Sequence, residues 1–229
     1  MSYLHTLLFG YAPYVALTVF LAGSLIRFDR EQYTWRSGSS QMLRKQSLQL
    51  GSNLFHVGIL LLFMGHFFGL LTPPEVYHAF GLSVGAKQWL AIIAGSVFGT
   101  VCFIGLTLLL HRRLTDARIR KTSSPMDLVI LGVLWVQLVL GLATIPASIA
   151  HSDGGTMLAL ADWAQRIVTF RAGAAEAVAD VGLVYKLHLV LGMVMVLLFP
   201  FSRLVHIWSA PVWYLGRRYQ VVRTRFRHG

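Results

Sequence analysis

The sequence predicts an all-α polytopic membrane bundle of five transmembrane helices, with its N-terminus outside and its C-terminus in the cytoplasm. Three observations carry this reading. Hydrophobic residues make up 55% of the 229-residue chain and charged residues only 13%, whereas soluble domains carry about a quarter charged. The apolar residues gather into five blocks, each close to the ~20 residues that cross about 30 Å of hydrocarbon as a helix. The cations occupy the gaps between the blocks, and they do so unevenly.

The first block is Tyr3–Ile26. Its start, MSYLHTLLFG, lacks a basic n-region and a small-residue cleavage site, so it reads as a retained helix. The second, Leu48–Leu71, carries Gly51, Gly58, Gly65 and Gly69, which permit close approach of another helix or of a flat macrocycle. The third, Trp89–Leu110, holds the lone Cys102, so the chain forms no internal disulfide and no thiolate cluster. The fourth is Leu128–Ala150 and the fifth Val181–Val205. Between them, in TMLALADWAQRIVTF, Leu160, Trp163, Ala164, Ile167 and Phe170 recur at helical spacing, with Asp162 and Arg166 as an i,i+4 pair on the other face. That pattern fits a short helix on the outer membrane surface. Residues 1–210 form one transmembrane domain and 211–229 a basic tail, able to dock a partner or lie on anionic lipid.

Charge sets the orientation. Residues 27–47, 111–125 and 203–229 hold sixteen of the twenty Lys and Arg residues; the remaining gaps and their borders hold Lys87, Arg166, Arg171 and Lys186. Cytoplasmic loops collect Lys and Arg, which puts the N-terminus outside. The same placement explains the net charge of +11 as membrane anchoring and argues against nucleic-acid binding.

Ionisable groups at membrane depth are costly and usually functional. Four of the nine histidines fall in two helices: His56 and His66 in the second block, His188 and His206 in the fifth. The two helices run antiparallel, so depth matches outer His66 with His188 and inner His56 with His206. Imidazole is an axial ligand of haem iron, and two such pairs would hold two haems stacked across the membrane. The spacings are unequal: ten residues span about 15 Å of helix and eighteen about 27 Å. Eighteen residues is a whole number of turns, which puts His188 and His206 on one face of a continuous helix; unequal spans require crossed helices or a bend, for which Pro200 offers the place. A proton relay or metal transporter using the same histidines is the alternative, although neither repeat symmetry nor broken helices are evident. No C-x-x-C-H occurs, which excludes covalent haem attachment. Arg203, three residues before His206, and Arg112 are candidates to pair with inner-haem propionates, with ordinary membrane anchoring as the competing role.

The segments QYTWRSGSSQML, SNLFHVGILLLFMGHFFGLLTP and KLHLVLGMVMVLLFPFSRLVHIWSAPV closely resemble the respiratory nitrate reductase gamma subunit family, the membrane cytochrome b of that enzyme. The resemblance runs over essentially the whole chain and includes the ten-and-eighteen histidine spacing. It implies a multi-pass protein of a bacterial or archaeal cell membrane with a periplasmic N-terminus. It implies two haem b groups, the distal one on His66 and His188 and the proximal one on His56 and His206. It implies quinol oxidation around Gly65, His66 and Lys87, with electrons leaving to an iron–sulfur beta subunit and a molybdenum-containing alpha subunit that reduces nitrate. Lys87 on sequence alone reads as a lysine snorkelling at a helix end; the resemblance makes it a donor to the quinol. A cytochrome b serving another quinol-linked reductase is the nearest alternative. Electrons driven inward work against the membrane potential at about 2.3 kcal/mol per charge per 100 mV, which the redox drop must exceed.

Overall fold

The computed structural model describes residues 2–35, 45–210 and 216. The described residues are helical, and five helices are long and apolar enough to cross a membrane. Hydrocarbon offers no partners to backbone N–H and C=O groups, so a helix, which satisfies its own, is the structure such segments must take. We label them α1 (Tyr3–Arg30), α2 (Lys45–Leu71), α3 (Val84–Thr115), α4 (Pro125–Ala150) and α6 (Leu183–Leu198), with the shorter amphipathic α5 (Gly155–Val168) before the last. Large apolar side chains face outward, among them Leu25 and Phe63, each 70% exposed. In water such a surface is unfavourable, whereas against lipid it is neutral. The basic tail of 211–229 lies outside the described residues, save Gly216.

The helices form an open arc. Neighbours pack in the order α2, α3, α4, α6, α1, and neither α6 nor α1 is among the principal partners of α2. The tightest joint is α2 against α3. A Cβ on Gly58 would lie 2.6 Å from the Cys102 backbone nitrogen, and one on Gly105 would lie 2.3 Å from the Phe55 nitrogen. Glycine alone fits at this backbone-level contact. Seven residues on from Gly58 and seven back from Cys102 come Gly65 and Gly95, where a Cβ would meet nothing within 4 Å. The two helices touch at the basic end and splay at the other. Of the four glycines along α2, the first two therefore serve helix packing, and Gly65 and Gly69 face open space.

Local departures from regular helix have chemical causes. Pro13 has no N–H, so the Phe9 carbonyl four residues earlier loses its partner. The chain widens into a π turn over Leu7–Tyr11, and the Trp163 indole N–H donates to the Phe9 carbonyl at 2.9 Å. This docks α5 on α1. The remaining contacts of α5 follow the expected face, with Ala161, Trp163, Ala164 and Ile167 buried, and the Asp162–Arg166 pair forms at 2.7 Å. Phe170 does not belong to that face: it lies beyond the helix end at φ 56° and stacks on Tyr14. At the start of α4, Ser124 and Asp127 form a reciprocal capping box with Pro125 in the first turn.

The fifth span differs from expectation. The segment Val181–Val205 is no continuous helix, since α6 ends at Leu198 and two 3₁₀ segments follow, Phe199–Phe201 and Arg203–Ser209. The break falls at Pro200, the expected bend site. The whole-turn argument that set His188 and His206 on one face therefore fails. Arg27 of α1 fills the break, its Nη1 donating to the carbonyls of Pro200 at 2.6 Å and Ser202 at 2.9 Å.

Candidate functional site

Across the mouth of the arc, α2 and α6 each present a histidine to the other. The ring centroids of His66 and His188 lie 6.2 Å apart. Two imidazoles that share a metal through bonds of about 2 Å place their centroids about 6 Å apart. The spacing is thus that of a bis-imidazole site. His66 Nδ1 donates to the Leu62 carbonyl at 2.8 Å, one turn back on its own helix. A carbonyl only accepts, so the proton is on Nδ1 and the Nε2 lone pair is left for a metal.

His188 is seated differently. Its ring lies against α4, where a Cβ on Gly141 would come within 3.1 Å of Cε1. Gln137 Nε2 donates to the His188 carbonyl at 3.0 Å and stands 3.4 Å from the ring Nε2. Nδ1 of His188 is buried with no partner, as is Oε1 of Gln137. Buried orphans of this kind call for a missing partner. The residues therefore fit a metal-centred planar group. Two imidazoles supply too few donors for a bare ion, and among the described residues no group of three or more His, Cys, Asp or Glu could hold one. Haem brings its own four nitrogens.

The second pair is not brought together to the same degree. His56 Nδ1 donates to the Ser52 carbonyl at 2.7 Å, and His206 Nδ1 donates to the Arg203 carbonyl, so both leave Nε2 available. Among the described residues no ring contact or hydrogen bond joins His56 to His206. Their neighbours Phe55 and Leu204 border one buried cluster, built on Cys102, Leu106, Ile130, Leu131, Leu134 and Leu138. The break eases the mismatch in spacing. From His188 to Leu198 the helix advances about 15 Å, as much as from His66 to His56. The eight surplus residues fall in the broken segment.

Around this end lie the cations. Arg203 pairs with Asp127 at 2.8 Å, and Asp127 also meets Arg113 at 3.4 Å. Arg112 is buried beside Arg113 at the end of α3. A carboxylate thus shares the charge of Arg203, which sequence reasoning offered to a propionate.

Lys87 lies at the opposite end and is no snorkelling side chain. It is 8% exposed, donates to the Thr72 carbonyl at 3.3 Å and stands over the Tyr77 ring at 4.1 Å. It borders a cavity of about 190 Å³ shared with Thr72, Tyr77, Asp162 and Gln165. Thr72 is six residues beyond His66, about 9 Å along the helix axis. Lys87 and His66 therefore occupy successive layers rather than one. Sequence reasoning missed Gln137, Asp127 and Arg27; polar residues at membrane depth or beside a break were the available signal.

The chain matches the family model of the nitrate reductase gamma subunit over residues 5–225. It is 52% identical to the respiratory nitrate reductase 1 gamma chain of Escherichia coli over 98% of this chain and 100% of that one. It is 40% identical to the nitrate reductase gamma chain of Bacillus subtilis, over 96% of this chain and 98% of that one.

Proposed function

The chain belongs to the nitrate reductase gamma subunit family, and from that premise we propose that it is the di-haem cytochrome b that oxidises quinol at the periplasmic face and passes electrons inward. A gamma chain is one subunit of an oxidoreductase complex, and this one is a multi-pass protein of the bacterial inner membrane. Its electrons go to an iron–sulfur beta subunit and on to a molybdenum-containing alpha subunit. The chain's lone cysteine, buried as a free thiol, provides no cluster of its own for that step.

The observation that carries the reading is the 6.2 Å approach of His66 to His188 across the open side of the arc. These two histidines would hold the outer haem, and His56 with His206 the inner one. The chemistry that haem supplies when bound is one-electron acceptance without proton uptake. The chain's own groups then handle the quinol. Gly65, beside His66, leaves room for a ring, since nothing lies within 4 Å of where its Cβ would be. Lys87 has three N–H donors, and a quinol oxygen in the next layer out would take one in place of the Thr72 carbonyl. Tyr77 beneath the ammonium and the fold of α5 over it keep that layer partly dry, which strengthens such a bond. In the sequence, the gaps on one side of the spans carry sixteen Lys and Arg residues against four in and beside the others, which puts the quinol side on the periplasmic side.

Optical spectra of the purified complex test the pairing. His66→Ala and His188→Ala each remove one and the same haem, and His56→Ala and His206→Ala each remove the other. Loss of the same haem in the His66 and His206 variants overturns it.

A further inference from the structure

We propose that Gln137 is the positioning residue of His188, holding that ring from α4 where the other three histidines are held by their own chain. The inference rests on His188 being a haem ligand. His66 and His56 each tie Nδ1–H to the carbonyl four residues back, and His206 to the carbonyl three residues back. His188 makes no such bond. What it has instead is a seat on a neighbouring helix, made of two residues one turn apart. Gly141 clears the ring, and Gln137 grips both the His188 carbonyl at 3.0 Å and the edge of the imidazole at 3.4 Å. Gly192 makes room for this grip, for a Cβ there would stand 3.3 Å from Gln137 Nε2.

A ligand imidazole binds metal with one nitrogen and carries its proton on the other, and that N–H needs an acceptor. For His188 the acceptor at hand is Gln137 Oε1, which is buried and has no partner. A small rotation of the side chain that keeps its Nε2 on the His188 carbonyl brings the oxygen toward the ring N–H. The buried oxygen then has a donor, and the other ring nitrogen is left for the metal. The outer haem is thereby held by one ligand locked to its own helix and one governed from a third helix. Hydrogen bonding to the ligand N–H makes the imidazole more basic and favours oxidised iron. Gln137 sets the potential of the outer haem and leaves the inner one alone.

The test uses the whole complex, reading haem content, the midpoint potential of each haem by optical titration, and the low-spin ferric resonances. The outer haem is identified as the one that His66→Ala removes. In Gln137→Leu the outer haem is retained and becomes easier to reduce by about tenfold in equilibrium constant, which is about 59 mV for one electron. In Gln137→Glu, which keeps an acceptor, the shift is absent or reversed. The inner potential is unchanged in both. Loss of the outer haem in Gln137→Leu with retention in Gln137→Glu also supports the role. Unchanged outer potential and resonances in Gln137→Leu overturn it, as does an equal effect of both substitutions. If His188→Ala leaves both haems in place, the ligand assignment itself fails, whatever Gln137 does.

Discussion

Arg27 and Pro200, 173 residues apart in sequence, are joined by a 2.6 Å hydrogen bond from the guanidinium to the proline carbonyl. The same nitrogen reaches the Ser202 carbonyl, and Nε and Nη2 are anchored on Thr34. A cation from the first helix thus stitches the break in the last, four residues before His206. Hydrogen bonds to charged groups contribute about 1.5–3 kcal/mol, and Lys, a point charge, cannot reproduce the fork. Arg27→Gln should loosen the segment that carries His206. Haem stoichiometry per complex should fall for the inner haem alone, with Arg27→Lys intermediate. Equal retention of both haems in Arg27→Gln contradicts this role.

Lys87→Ala should leave both haems bound and weaken quinol turnover. A charge-assisted hydrogen bond of about 1.5–3 kcal/mol corresponds to a site roughly ten- to hundredfold weaker, at about 1.4 kcal/mol per factor of ten. Haem reduction by a quinol analogue and affinity for a quinol-site inhibitor are the measurements. Unchanged kinetics and affinity confine Lys87 to tying the start of α3 to Thr72.

Trp163→Phe keeps the aromatic packing but leaves the Phe9 carbonyl without its donor. An orphaned buried carbonyl costs about 1–3 kcal/mol, so thermal unfolding in detergent should occur at lower temperature. Pro13→Ala restores a backbone N–H to that carbonyl. The penalty of Trp163→Phe should therefore shrink in the Pro13→Ala background, which a double-mutant cycle reads directly. Additive effects would show that the indole bond and the proline are unrelated.

Gly105→Ala and Gly95→Ala, on the same helix, should behave oppositely. The first puts a methyl 2.3 Å from the Phe55 nitrogen, and the second puts one into open space. Overpacking costs about 1–3 kcal/mol, so Gly105→Ala lowers the unfolding temperature and Gly95→Ala does not. Similar losses in both would mean that the splay closes in the folded protein.

Much of the architecture was legible because its signals are local. Block length fixed five spans to within a few residues at most ends, helical spacing found α5 and the Asp162–Arg166 pair, and antiparallel depth matched His66 with His188. The break at Pro200 was marked as a bend site, but its extent was not, because a proline shows where a helix weakens and not whether another chain segment takes the freed carbonyls. Arg27 was legible only as an anchoring cation for the same reason. Gln137 drew no notice, since a single amide in an apolar helix has no pattern, and its partner lies 51 residues away. Phe170 fitted the α5 period but falls after the helix has ended, where periodicity stops having meaning.

The joint between α2 and α3 works as a fulcrum. At Gly58 and Gly105 the two backbones bear on each other, and separating them there strips away many contacts at once. Toward Gly65 and Gly95 little is in contact, so the same angular motion breaks almost nothing. Thermal breathing of this helix pair is therefore levered toward the end that carries His66. That end of α2 can shift to admit a flat guest between His66 and His188 while its far half stays clamped on α3, and the stretch that holds the inner histidine is insulated from its arrival.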